Sequence, residues 1–477
     1  MSTFFIEQFG CRATQADGAA IERQLREQGC ALASDPSTAD VVVLNTCTVT
    51  AAADAQARDA IRKIHAANPA TRILVTGCYA QRAPEEIAAL PGVSFVVGNS
   101  HKPQIPKLLH SISPVSEGQF VGAELACPDS GGAPPTRSVK DIVPPQPAPI
   151  LIGNIFELTE VLVAPVLGGE GNHTRPTLKI QDGCNSRCSF CVIPFVRGKS
   201  RSLPAQTVLS EIQRLADSGF REIVLSGINL GTYGRDLAPR VEFLDLLRRI
   251  LDETSVQRLR ISSIEPLDVT QDLISFFACN NRIAAHFHMP LQSASDRILA
   301  AMHRWYRAEH YARRVELIHN RLPNSAIGAD IITGFPGETD ADHEATLDFI
   351  AARPFTYLHV FSYSPRPGTK AATLPGQLPG HVIKTRAREL RSLADSKSTA
   401  FRHAQIGRSL RVLTLHRDPT TDPDSTPALS ENYLQVLLPV ALPANQFVDA
   451  TVMHLGDKHL LAVPAESLSF SVTGACS

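Results

Sequence analysis

Nowhere does the sequence carry the roughly 18 consecutive apolar residues that a membrane-spanning helix needs, so no membrane span is expected. The first residues, MSTFFIEQFGC, lack the basic region and long apolar core of a secretory signal, which points to a cytoplasmic protein. Thiols stay reduced there, so the 10 cysteines are not read as a disulfide framework and the sequon at Asn172 is read as chance. An excess of charge of one sign is also missing. The formal net charge is −1, so any nucleic-acid surface must be a local patch. Finally, the cysteine stretch discussed below has no second C-x2-C and no nearby histidine pair, the usual completion of a zinc site.

What is present is a chain of 477 residues with ordinary apolar content, long enough for two to four domains. Residues 1–110 alternate apolar strands (TFFIEQFG, ADVVVLN, RILVTG, VSFVVGN) with helical stretches, the pattern of a parallel α/β sheet. Residues 111–172 include CPDSGGAPPTRSVKDIVPPQPAP and read as a Pro/Gly-rich linker or insertion, with ordered structure returning near Ile150 to Val166. From 173 to 400 the alternation resumes with six strand candidates: 177–181, 221–227, 258–263, 284–289, 326–333 and 357–363. Six βα units suit a partial or closed α/β barrel, with an open doubly wound sheet as the alternative. Residues 403–467 hold four turn-separated strand candidates and suit a small all-β barrel or sandwich.

In DGCNSRCSFCVIP, Cys184, Cys188 and Cys191 stand at spacing C-x3-C-x2-C, directly after the first strand of the barrel candidate. Ligands gather at the carboxyl ends of parallel strands, so a loop there can wrap a metal cluster. Three thiolates on a four-iron cluster leave one iron open to a small molecule. Zinc with a distant fourth ligand, or plain buried thiols, are the alternatives. This loop, with Phe190 before its last cysteine, resembles the signature of the radical S-adenosylmethionine (SAM) superfamily. The resemblance implies that the open iron binds SAM, and that SAM is cleaved to a 5′-deoxyadenosyl radical. Cys184, Cys188 and Cys191 are then the catalytic residues.

Cys11, Cys47 and Cys78 each follow a strand, in FFIEQFGC, VVVLNTC and ILVTGC, which places them at the carboxyl edge of a parallel sheet. A thiolate triad again suits a cluster with an open iron. Cys30, Cys127, Cys279 and Cys476 are read as structural or incidental. Together, these features and a C-terminal β domain similar to a TRAM domain resemble the methylthiotransferase family. TLKIQDGCNSRCSFCVIPFVRGKSRS, LSGINLG, RISSIEP, GADIITGFPGET and YLHVFSYSPRPGT look most like its MtaB-like branch, which acts on N6-threonylcarbamoyladenosine in tRNA. The resemblance implies two 4Fe-4S clusters, the second carrying a sulfur that one SAM methylates before another generates the radical. It implies insertion of a methylthio group at C2 of the base, next to the anticodon. It also implies SAM contacts from Gly227, Asn229, Gly328 and Asp330, and Ser262 and Glu265, placed after the third strand of the barrel candidate, are further candidates to line the pocket. Thr14 departs from the asparagine that related chains carry three residues after the first cysteine.

RNA contact needs positive charge. Between Lys384 and Arg417 nine Lys and Arg face only Glu389 and Asp395. Arg402, Arg408, Arg411 and Arg417 are the candidates there, with Arg197, Lys199 and Arg201 beside the cysteine loop. The expected partners are a tRNA anticodon loop, an electron donor such as flavodoxin or ferredoxin, and a sulfur donor. The chain is expected to act as a monomer. Rival readings are a sister branch acting on isopentenyladenosine or on a ribosomal-protein aspartate, or a non-catalytic iron–sulfur electron carrier or RNA-binding scaffold. A carrier gains nothing from an exposed iron.

Overall fold

The computed structural model describes residues 3–111, 147–162, 164–166, 174–417 and 422–465. They fall into two compact units, one drawn from Met1–Phe9, Ile21–Thr48 and Ala52–Asn154, the other from Gly10–Ala20, Val49–Ala51 and Ile155–Ser477.

The first unit holds β1 (Thr3–Gln8), β2 (Ala31–Leu32), β3 (Val41–Thr46), β4 (Arg72–Gly77), β5 (Val93–Gly98) and β6 (Ile150–Leu151). They form one sheet in the order β2-β1-β3-β4-β5-β6, parallel at every pairing. Every residue of β3, VVVLNT, is buried, as a parallel strand covered on both faces requires. Alternate side chains serve the two faces. Val42 and Leu44 pack with Ile61 and Ile64 of one helix, Val41 and Val43 with Ile21 and Leu25 of another. The sequence reading named four of the six strands. The two it omitted are two residues long, too short to carry an alternation. Most of the 111–172 stretch, with Cys127, lies outside the described residues, as does Cys476.

The second unit contains β7 (Pro165–Val166), β8 (Thr177–Asp182), β9 (Arg201–Ser202), β10 (Glu222–Gly227), β11 (Arg258–Ile261), β12 (His286–His288), β13 (Ala326–Thr333) and β14 (Tyr357–Ser362). β8, β10 and β11 pair in parallel, as do β12, β13 and β14. Single bridges, Leu259 to Ile283 and Ser263 to His288, join the two runs. The order β8-β10-β11-β12-β13-β14 never reverses, which fits a partial α/β barrel and not a doubly wound sheet. Helices Ala205–Asp217 and Phe243–Glu253 cover it with Val208, Ile212, Leu246 and Ile250.

The same unit ends in β15 (Ser409–Thr414), β16 (Thr426–Ser430), β17 (Gln435–Leu438), β18 (Phe447–Leu455) and β19 (Leu460–Pro464), closed in the order β15-β16-β17-β19-β18. The sequence reading found four of these strands. β16 was hidden by Pro427, which cannot donate to a ladder and argues against a strand. The two barrels meet over a buried charge network. Glu222 opens β10, and the wholly buried Arg260 donates to its carboxylate at 2.7 Å and to the Ser430 carbonyl at 3.0 Å. Arg258 donates to the Arg411 carbonyl at 2.8 Å. Among the described residues no helix is long and apolar enough to cross a membrane.

Candidate active site

The chain turns out of β8 at Gly183, whose φ is +73°. A Cβ there would stand 2.0 Å from the Lys199 carbonyl oxygen, so only glycine lets the loop pass this close. The Cys184 amide then donates to the Gly198 carbonyl at 3.1 Å, the Ser186 amide to Cys184 Sγ at 3.4 Å and the Cys191 amide to the Cys188 carbonyl at 3.1 Å. Ser189 donates through its amide to Met302 and through its hydroxyl to Ala301. Phe190 packs against Ile298, Met302, Phe335 and Tyr363. The loop is thus pinned at both ends and in its middle, with Cys184, Cys188 and Cys191 half-buried free thiols.

Cys188 lines a cleft of about 710 Å³ with Asn229, Glu265, Arg304 and Tyr306, and Trp305 stands 79% exposed in its wall. Cys191 lines a smaller cavity of about 240 Å³ with Phe190, Gln292, Asp330 and Tyr363. Burial pushes the Cys191 thiol up to about 12. Cys188 is also raised by burial, against the nearby Arg304 guanidinium. Arg304 reaches Cys188 Sγ at 3.4 Å and pairs with Glu265. Glu265 is raised by its own burial, and Arg304 opposes the rise. A bound metal's charge would hold such thiols as thiolates, so three cysteines held on one loop are a donor set that a metal cluster fits.

The predicted SAM contacts divide. Asn229 and Glu265 line the cleft with Cys188, and Asp330 lines the cavity with Cys191. Asn229 Oδ1 and Ser262 Oγ are buried with no hydrogen-bond partner among the described residues, as acceptors held for a ligand would be. Gly227 serves packing, since a Cβ would lie 3.0 Å from Gln181 Oε1. Gly328 is likewise a packing glycine, since a Cβ would lie 2.0 Å from the Tyr357 ring. Neither glycine is among the residues lining the cleft or the cavity. Gln181 was not singled out in the sequence. Its Oε1 accepts the Asn229 amide at 2.8 Å and its Nε2 donates to the Gly183 carbonyl at 2.8 Å, tying the loop root to the neighbouring strand end. Arg304 carries no signal in the sequence, because its partners Cys188 and Glu265 are remote along the chain.

Two of the RNA candidates beside the loop, Arg197 and Arg201, are buried and hydrogen-bonded within the fold. Arg197 is 2% exposed and donates to Asp182 at 2.9 and 3.0 Å and to Asp17 at 3.0 Å. Arg201 is buried and donates to the Arg197 and Lys199 carbonyls, each at 2.8 Å. Both serve a buried charge cluster with Lys179, and releasing them to a phosphate would strand buried carboxylates. Lys199 is exposed. The basic stretch is thinner than its sequence suggests. Arg386 is buried against Glu338, and Lys397 donates to the Ala351 and Arg353 carbonyls. Arg402 is half-buried and donates to the Asp457 carbonyl. Arg408, Arg411 and Arg417 are exposed, with Arg411 over the Phe447 ring.

In the first unit, Thr46 and Gly77 are register partners, so Cys47 and Cys78 are the first residues past the ends of neighbouring parallel strands. Both are buried, and Cys78 Sγ accepts from Asn99 Nδ2 at 3.6 Å. Cys11, three residues past β1, belongs to the second unit and is exposed, with Thr14 Oγ1 3.6 Å from its sulfur.

Residues 3–98 match a family model described as uncharacterized protein family UPF0004, and residues 178–350 match the radical SAM superfamily. The threonylcarbamoyladenosine tRNA methylthiotransferase MtaB of Aquifex aeolicus is 36% identical over 90% of this chain and 95% of its own. A tRNA-2-methylthio-N(6)-dimethylallyladenosine synthase of Moorella thermoacetica is 31% identical over 92% of each chain. Among solved structures, the radical SAM methyltransferase TsrM of Kitasatospora setae, with tryptophan and a SAM analogue, superposes with TM-score 0.55 at 16% identity over 78% of this chain and 74% of its own, a likeness of fold.

Proposed function

Because the chain belongs to the radical SAM methylthiotransferase family, we propose that it inserts a methylthio group at C2 of N6-threonylcarbamoyladenosine in tRNA. The observation that carries this is the three-cysteine loop with a polar cleft at Cys188 and a second cavity at Cys191. Near-full-length similarity to proteins named MtaB favours the threonylcarbamoyl substrate.

Cys184, Cys188 and Cys191 would hold a 4Fe-4S cluster, which with bound SAM would supply a primary carbon radical able to attack a C–H bond that has no useful acidity. The protein's share is positioning. Gln181 fixes the loop root against Asn229, whose buried Oδ1 is left to accept from a ligand such as the SAM ammonium. Arg304 neutralises Glu265 and lies against Cys188. Phe190 and Tyr363 wall the cavity that Asp330 and Gln292 line, giving it apolar faces beside its polar groups. Cys11, Cys47 and Cys78 are read as the residues that would hold a second cluster, which would supply the sulfur. Residues 1–110 then form the sulfur-delivering domain, 173–400 the radical domain, and 403–467 a TRAM-like RNA-binding domain. Lys199, Arg408, Arg411 and Arg417 are the exposed cations among the candidates and are read as meeting phosphates. A flavodoxin- or ferredoxin-like reductant and a separate sulfur donor complete the cycle.

Dimethylallyladenosine is the second reading, favoured by relatives of that name at 31–34% identity. Mass spectrometry of tRNA nucleosides from cells lacking the protein separates the two. Loss of 2-methylthio-N6-threonylcarbamoyladenosine is expected, and loss of the dimethylallyl form instead would overturn the first reading.

A further inference from the structure

Beyond the cysteines, one group of side chains is arranged as a ligand set. His288 ends β12, Asp330 lies in β13 and His359 lies in β14, so three neighbouring parallel strands each contribute one. His288 Nε2 is 2.9 Å and His359 Nδ1 3.2 Å from the same oxygen, Asp330 Oδ1, and the three atoms lie within 4.8 Å of one another. Donors about 2.1 Å from one ion at right angles to each other stand about 3 Å apart, so these separations are those of adjacent ligands on a single ion.

From this geometry we propose that His288, Asp330 and His359 form a mononuclear site for a divalent first-row metal ion, separate from the iron–sulfur centres. Two imidazoles and a carboxylate suit Mn²⁺, Fe²⁺ or Zn²⁺ and leave further positions open. The outer shell supports it. Tyr357 Oη lies 2.9 Å from His288 Nδ1 and 2.7 Å from His286 Nε2. When the His288 Nδ1–H donates to Tyr357, the Tyr357 hydroxyl turns to His286 and the Nε2 lone pair is free for the ion. His359 is half-exposed, which gives an ion a way in.

The site's carboxylate lines the cavity that holds Cys191. An open position on a hard or borderline cation takes an anionic oxygen, and a threonylcarbamoyl group offers a carboxylate where a dimethylallyl group offers none. This use of the ion rests on the substrate reading above. The ion site itself does not.

The test uses the reconstituted holoenzyme, whose cluster cysteines are occupied. Mn²⁺ is titrated in, and the electron paramagnetic resonance signal of free Mn²⁺ is followed without RNA. About one ion per chain is expected, with affinity reduced at least tenfold in His359→Ala and in His288→Gln and no change in circular dichroism. Absence of saturable binding, or equal binding by both variants, overturns the site. A second arm compares KM for stem-loops bearing threonylcarbamoyladenosine with and without Mn²⁺. A KM that falls when the ion is present supports the carboxylate anchor. An unchanged KM beside proven Mn²⁺ binding overturns the anchor alone, and turnover only on the dimethylallyl stem-loop overturns the substrate reading while leaving the ion site standing.

Discussion

The two cysteine sets are encoded in opposite ways. Cys184, Cys188 and Cys191 lie within one loop, and local backbone hydrogen bonds with one obligatory glycine suffice to hold their spacing. Cys47 and Cys78 lie 31 residues apart and become neighbours because β3 and β4 pair in register. The first set is a motif, and the second is a consequence of topology. A loop motif tolerates changes elsewhere in its sheet, whereas sheet-edge ligands depend on every register between them.

The sharpest way to break this comparison is to remove one set at a time. Replacing Cys184, Cys188 and Cys191 together by Ala should abolish 5′-deoxyadenosine formation while leaving about half the iron of the anaerobically reconstituted protein. Chromatography of the nucleoside and iron counting check both, and zinc in place of iron would sink the assignment. Cys47→Ala or Cys78→Ala should do the reverse, sparing SAM cleavage and abolishing methylthio insertion. If either variant methylthiolates tRNA at the wild-type rate, these are structural thiols.

Smaller effects sharpen the contrast between the two ends of the barrel. Burial alone would raise Glu222, but the charge and hydrogen bond of Arg260, with Arg175 and Arg258, hold it at about 2. A depressed carboxyl contributes stability that is present above its unfolded value of 4.5 and is lost as pH falls from there toward 2. The unfolding free energy measured by urea titration should therefore drop by a few kcal/mol over that window. Glu222→Gln should be less stable at pH 7, with a flatter profile below pH 5. An unchanged slope would refute the linkage. At the other end, Arg304→Ala leaves Glu265 partly buried without its cation, and should cost about 2 kcal/mol in the same assay. Glu265→Gln in that background should recover part of the loss.

The smallest effect concerns RNA. Because Arg258 and Arg260 hold the small β-barrel over buried charge, deleting that barrel would test folding more than binding. Point changes are cleaner. Arg408→Ala and Arg417→Ala should each lower the salt dependence of tRNA affinity by about one unit of log–log slope, with SAM cleavage unchanged. Retention of the full slope in the double variant would count against an RNA role for this face.

The sequence by itself determined the α/β character of both long regions, the three-thiol loop and its place after a strand, and the C-terminal β domain. Each of these is written in spacing or alternation over fewer than about ten residues. Only the tertiary structure decided that Arg197 and Arg201 belong to a buried charge cluster with Asp182 and Asp17, that β16 pairs in spite of Pro427, and that Gln181 and Arg304 brace the cysteine loop. It also brought His288, Asp330 and His359, spread over more than seventy residues, around one oxygen. A basic residue reads the same in sequence whether solvent or a buried carboxylate answers it. Only chain closure brings a remote partner within hydrogen-bond distance, and that partner decides whether the charge is held in the fold or left for a ligand.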